Sequence, residues 1–251
     1  MKSNTAVIIL AAGLGTRMKS NKAKVLHEIQ GRPMVSYVVE TARQVAGNNV
    51  IVVVGNQAEK VRQVVSENED LLFAYQEKQL GTAHAVLCAV PQIPEPCTEV
   101  VILCGDVPLI RPETVSRLID DHLEAQRDIS LLAVELENPF GYGRILLDSN
   151  DQLSGIVEEA DATSKQKRIK MINSGIYCVN KEFLVRALPQ VRSNNAQGEL
   201  YLTDIIEIGY IAKTTMGVMV GADEREILGV NNLKDLQQVD AIMKTRMRII
   251  S

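Results

Sequence analysis

The sequence predicts an α/β fold: a Rossmann-like, mostly parallel sheet with helices on both faces and a lobe inserted in its second half. Three observations predict it. Val7–Ala12 is a short apolar run that breaks directly into the glycine-rich segment Gly13-Leu14-Gly15-Thr16-Arg17. Up to about residue 135, runs of this kind alternate with helical patterns, as βαβ units require. Beyond about residue 137 the alternation gives way to short strand-like pieces separated by loops.

Each element follows from its residues. Val7–Ala12, Val50–Val54, Leu71–Tyr75, Val100–Leu103 and Ile129–Val134 are short and predominantly apolar, as strands covered on both faces are. Helical patterns lie near 33–46, 57–67, 81–90 and 112–126. In the last, Pro112 suits a first helical turn, and Val115, Leu118, Ile119, His122 and Leu123 form one stripe. Gly141–Ile145, Gly155–Glu158 and Ile172–Tyr177 read as strands of a lobe built on the same sheet, and Lys165–Lys170 as a solvated loop. Leu233, Leu236, Val239, Met243 and Met247 recur at helical spacing, so residues 233–251 form a packed tail helix after a single domain over 1–232.

Composition narrows the function. The net charge of −4 provides no basic footprint for nucleic acid, and 46% hydrophobic residues supply a large core. Cys88, Cys97, Cys104 and Cys178 lack Cys-x-x-Cys spacing, so neither a structural zinc nor a disulfide framework is expected. No apolar run reaches the ~18 residues of a membrane span. The apolar N-terminal run feeds the glycine loop as a core strand instead of a signal peptide, which points to the cytoplasm.

The glycine loop carries the first chemistry. Gly13 and Gly15 let backbone N–H groups approach an anion, and Arg17 adds a fixed cationic fork, a combination suited to a triphosphate. It is not a dinucleotide fingerprint, because Met18 holds the third glycine position and Val54-Gly55-Asn56 has no acid for a ribose. No Gly-Lys-Ser/Thr closes a Walker loop. Asp106 ends another strand beside this loop; such an aspartate caps a turn or holds Mg²⁺, which takes one or two protein oxygens and fills its shell with phosphate and water. Gln76, Gln79, Gly81 and Thr82 follow a third strand and open a helix, where amide side chains either cap the helix or read a uracil edge. His84 reads as a packed histidine.

Leu10, Gly13, Gly15, Thr16, Arg17 and Met18, followed by Lys24 seven residues past Arg17, resemble the signature of the sugar-phosphate nucleotidyltransferases. Ala23 stands where the family has proline, which loosens the lysine loop without moving its charge. The resemblance implies a nucleotidyltransferase-type fold with catalytic Arg17 and Lys24. It places the nucleotide on Leu10, Ala11, Ala12, Gly13, Gln76, Gln79, Gly81, Thr82 and Gly105. In Gly105-Asp106-Val107-Pro108-Leu109 it makes Asp106 a Mg²⁺ ligand, with Asn231 as the second; the residue-level alternative for Asn231 is a cap on the tail helix, a role Asn232 can also fill.

Gln76-x-x-Gln79-Leu80-Gly81-Thr82 is similar to the uridylyl-transferring form of the family, and Asn194–Asp204 to the sugar-contacting motif of members that use N-acetylglucosamine 1-phosphate. By position, Gly143, Glu158, Asn173, Glu199, Tyr201 and Thr203 then line the sugar pocket. Cys104 stands where close members carry an aromatic residue. The implied reaction transfers UMP from UTP to N-acetylglucosamine 1-phosphate, releasing pyrophosphate, for cell-wall precursor synthesis. The rivals are another sugar phosphate or base, such as glucose 1-phosphate with dTTP or CTP, and a non-catalytic nucleotide-sugar sensor. Such members continue into a β-helix of hexapeptide repeats that carries acetyl transfer and trimerisation. No such repeat occurs here, so the expectation is uridylyl transfer without acetyl transfer, and weak or no self-association through an exposed Met243 and Met247.

Overall fold

β1 (Thr5–Leu10) shows how the chain uses a strand covered on both faces. Val7 and Ile9 point into one apolar layer, Ala6 and Ile8 into another, and all four are sealed from solvent. The period-two alternation of a strand therefore feeds two cores, one on each face of the sheet. The computed structural model describes residues 4–66 and 70–250. Residues 1–3 and 251, at the ends of the expected domain and tail, and residue 67 of the expected helix 57–67 lie outside the described residues.

After a short hairpin, β2 (Glu28–Ile29) and β3 (Arg32–Pro33), the chain alternates through α1 (Met34–Ala46), β4 (Val50–Val54), α2 (Ala58–Ser66), β5 (Leu72–Tyr75), α3 (Thr82–Ala89), β6 (Glu99–Cys104), α4 (Pro112–Glu124) and β7 (Ile129–Glu135). The second half adds β8 (Arg144–Leu147), β9 (Leu153–Val157), β10 (Met171–Asn180), α5 (Lys181–Ala187), α6 (Asp204–Ile211), β11 (Met216–Val220) and α7 (Leu233–Ile250). The main sheet has the order β11-β7-β10-β6-β1-β4-β5. β6, β1, β4 and β5 are parallel, and β10 enters antiparallel between β6 and β7. β8 pairs with β10 and β9, so the lobe is an outgrowth of the same sheet, as expected. Helices α1, α2, α4 and α7 cover the Val7 face, and α3, α5 and α6 the Ile8 face.

Several boundaries differ from the sequence expectation. β1 stops at Leu10, so Ala11 and Ala12 are buried loop residues that continue the apolar run without continuing the strand. Leu123 lies off the buried stripe of α4, at 37% exposure. On α7, Val239 and Met243 are buried while Leu233, at 56%, and Met247, at 44%, are open, so the expected exposure of Met243 is corrected: the helix turns it into the core. α7 is fastened by Gln30, whose backbone N–H and carboxamide donate to Asp240 at 2.8 and 2.7 Å, and by Arg246, which donates to the Leu109 carbonyl at 2.6 Å. All four cysteines are free thiols. Among the described residues no helix is long and apolar enough to cross a membrane.

Candidate active site

The parallel strands deliver their following loops to one edge of the sheet, where α/β folds bind ligands. β1 releases Gly13–Arg17 there, β5 releases Gln76, and β6 releases Gly105 and Asp106. The Gly105 N–H donates to the Leu10 carbonyl at 2.9 Å, and Ala11 N–H to the Val53 carbonyl at 3.0 Å, so the ladder fixes where the loops begin. A Cβ on Gly13 would meet nothing within 4 Å, which leaves its backbone open. Gly15 differs: at φ +64° it lies so close to Lys24 that a Cβ would sit 2.6 Å from the lysine Cβ. This glycine lets the lysine turn pack onto the phosphate loop.

Four side chains distant in sequence meet here. Lys24 Nζ pairs with the Asp106 carboxylate and donates to Asn231 Oδ1 at 3.2 Å, and Arg17 donates to the same Asn231 oxygen at 2.8 Å. Asn231 is held from behind by its N–H to Asp235 at 2.9 Å, and Val230 N–H reaches the Asp106 carbonyl at 2.9 Å. The capping alternative is resolved: Asn232 Oδ1 accepts the Lys234 and Asp235 N–H groups at the start of α7, while Asn231 turns to the cations. The Lys24 side chain is mostly buried, which strengthens its pairing with Asp106. Ala23, at φ −54° and ψ 140°, holds a backbone shape that proline would also take. Cys104 Sγ donates to the Gly175 carbonyl at 3.6 Å, and burial, with the Asp106 carboxylate, pushes its thiol up to about 12.

The base-side residues are tied to the scaffold. Gln76 is buried, its Nε2 donating to the Gly81 carbonyl at 2.9 Å and meeting His84 Nδ1 at 3.1 Å. Gln79 Nε2 donates to the Gln76 carbonyl at 3.1 Å. His84 is half-buried between Gln76 and Cys88. The loop is stitched to the sugar-side segment: Leu200 N–H donates to Leu80 at 2.7 Å, Ala83 N–H to Leu200 at 2.9 Å, and Leu202 N–H to the Thr82 hydroxyl at 2.9 Å. A Cβ on Gly81 would sit 2.4 Å from the Leu200 carbonyl oxygen, so only glycine fits under this stitch.

On the sugar side, Asn173 N–H donates to the Gly143 carbonyl at 2.9 Å, and a Cβ on Gly143 would stand 3.2 Å from a Glu158 oxygen. These three residues therefore form one wall. Burial raises the Glu158 carboxyl, the Thr203 hydroxyl opposes this, and the Asp161 and Asp204 carboxylates raise it further. Asp204 itself is pushed up to about 6 by burial and by Glu207. Tyr201 is buried and its hydroxyl donates to Gln197 at 2.6 Å, whereas Glu199 is exposed, its main chain held by Asn195. Sequence reasoning missed Arg144, which is sealed and donates to Glu159 at 2.6 Å and to the Tyr142 carbonyl, clamping the loop that carries Glu158. The arginine directly after the sugar-wall Gly143 was the available signal. Among the described residues no three His, Cys, Asp or Glu side chains converge to hold a metal ion.

Residues 7–169 match the family described as MobA-like NTP transferase domain. The chain is 42% identical over 98% of its length to the "Bifunctional protein GlmU" of Geotalea daltonii, and 43% identical over 96% to that of Desulfotalea psychrophila. It spans 54% of the first relative and 71% of the second, and about half the length of most of the curated relatives compared. A solved chain of Bacillus anthracis described as a glucose-1-phosphate thymidylyltransferase, in complex with sucrose, superposes with a TM-score of 0.74 over 95% of this chain and 94% of its own. At 18% identity that likeness concerns the fold, which is of the nucleotidyltransferase type.

Proposed function

We propose that this chain, which belongs to the MobA-like NTP transferase family, transfers UMP from UTP to N-acetylglucosamine 1-phosphate, giving UDP-N-acetylglucosamine and pyrophosphate. The observation that carries this reading is the convergence of Arg17, Lys24, Asp106 and Asn231 at the strand-end edge, together with the mutual contact of Gly143, Glu158 and Asn173. A phosphate oxygen of the sugar phosphate attacks the α-phosphorus in line, the bond from that phosphorus to the β-phosphate bridging oxygen breaks, and pyrophosphate leaves. No covalent link to the protein is required, so positioning and charge neutralisation carry the rate. Arg17 holds the β- and γ-phosphates, and Lys24 spans the attacking and α-phosphates. Gln76 uses its amide protons within the protein and keeps Oε1 as an acceptor for the N3–H of uracil, a proton that cytosine lacks.

The site suits Mg²⁺. One ammonium touches both the Asp106 carboxylate and Asn231 Oδ1, so a single small cation can reach both, and a carboxylate with an amide oxygen is a hard donor set. Bound there, the ion supplies charge neutralisation to the phosphates. The reading includes a cytoplasmic enzyme with weak or no self-association, Met247 being the one open apolar residue of the expected sticky pair. A pyrophosphate-release panel of four nucleoside triphosphates against several sugar 1-phosphates tests it. UTP with N-acetylglucosamine 1-phosphate is expected to be the best pair; a preference for glucose 1-phosphate, or no release with any pair, overturns it.

A further inference from the structure

Seven sealed side-chain polar atoms lack a geometrically complete hydrogen bond among the described residues, and two of them, on Arg144 and Tyr177, belong to residues that interact electrostatically with Glu158. Tyr177 is the one whose chemistry has no structural use. Its side chain is 1% exposed in the apolar layer between the sheet and α3, α5 and α6, where phenylalanine would fill the same space without an orphan hydroxyl.

A bulge places this hydroxyl. Asn173 pairs with Ala133 and Tyr177 with Leu131, so four residues of β10 lie opposite two of β7. Regular strand geometry would separate residues four apart by about 13 Å, whereas two rungs span about 7 Å. Directly opposed residues of antiparallel strands share a face, so Asn173 and Tyr177 lie on the same side of the sheet. Gly175, at φ +78°, makes the turn within the bulge, and its N–H donates to Asn173 Oδ1 at 3.0 Å. The Asn173 carboxamide stands beside the Tyr177 oxygen without completing a geometrically good hydrogen bond to it, and the Glu158 carboxylate acts on the same hydroxyl.

We propose that Tyr177 is a positioning residue for the sugar phosphate, its sealed hydroxyl oxygen accepting one amide proton of Asn173 when the pocket fills and so aiming the other at the ligand. Asn173 is then fixed at both ends, by Gly175 N–H at Oδ1 and by Tyr177 at Nδ2. The inference rests on the uridylyltransferase reading for the identity of the ligand.

Tyr177→Phe tests it. The expected result is a KM for N-acetylglucosamine 1-phosphate raised about tenfold, with KM for UTP and kcat within about twofold, and a Tm equal to or above that of the parent. Calorimetric binding of the sugar phosphate in the presence of UTP is expected to weaken in parallel. In an Asn173→Ala background the same substitution is expected to have no further effect, because the two act as a unit. An unchanged KM, an equal loss for both substrates, additivity with Asn173→Ala, or loss of cooperative melting overturns the proposal. If the parent protein itself neither binds nor turns over this sugar phosphate, the functional reading has failed and this inference falls with it; parent binding with equal binding by Tyr177→Phe removes this inference alone.

Discussion

The two ends of the cleft are built on opposite principles. At the phosphate end, charged groups satisfy one another: Lys24 sits on Asp106, and Arg17 and Lys24 share Asn231. At the proposed sugar end, polar groups are drawn into the protein and left incomplete, with Glu158 raised by burial and the sealed Tyr177 hydroxyl unpartnered. A ligand at the first end must displace existing ion pairs, so its attraction is partly offset and strongly salt-dependent. A ligand at the second supplies hydrogen bonds the protein lacks, so recognition there depends on shape and donor pattern. On the proposed reading, rate is concentrated at one end and selectivity at the other.

The largest expected effect tests the rate-bearing end. Asp106→Asn is expected to lower kcat at least ~100-fold, the scale of losing a major electrostatic stabiliser, with EDTA abolishing turnover and Mg²⁺ restoring it. Full activity in EDTA would remove the metal assignment. Lys24→Ala is expected to approach the same loss, while Lys22→Ala stays within twofold, since Lys22 makes only an exposed pair with Glu28 at 3.0 Å. Equal losses from the two lysines would mean that the wrong one has been assigned.

At the recognition end the effects are smaller. UTP is expected to exceed CTP in kcat/KM by roughly 5- to 150-fold, the ~1–3 kcal/mol of leaving the buried Gln76 acceptor unpaired. Parity between the two nucleotides would release Gln76 from base reading.

The incomplete pocket also predicts a pH effect on stability. Asp204 binds its proton more tightly folded, at about 6, than at its ordinary 3.8, so the stability its raised carboxyl contributes is fully present below about pH 4 and is lost as pH rises through about 6. Asp204→Asn is therefore expected to melt above the parent at pH 7.5 and to match it at pH 4; a constant difference across that range would refute the buried-acid account. The smallest effect concerns the phosphate end again. Ala23→Pro is expected to stabilise by ~0.4–1 kcal/mol, because the backbone already has a compatible φ, and a lowered Tm would show that the ring does not fit.

Much of this division was legible in the sequence, unevenly. β4 begins and ends where its five consecutive apolar residues do, because a strand buried on both faces has no other signal. The phosphate end was readable since its residues sit in short motifs after such strands. β10 was harder: its reversal between β6 and β7 and its bulge at Gly175 are set by pairing with partners some 40 to 80 residues away, which local pattern does not encode. For the same reason the roles inferred for Arg144 and Tyr177 were invisible, and local pattern did not show that the amide protons of Gln76 are committed to Gly81 and His84.

The stitch between Leu80–Ala83 and Leu200–Leu202 has a consequence for how such enzymes diversify. The strip proposed to meet the base and the strip proposed to meet the sugar are laced by their main chains, over a glycine that admits no side chain. A shift of one residue in either strip drags the other, so on the proposed reading an insertion near residue 200 is expected to alter nucleotide choice as well as sugar choice. Grafting either proposed specificity onto a related scaffold is therefore expected to require moving both strips together.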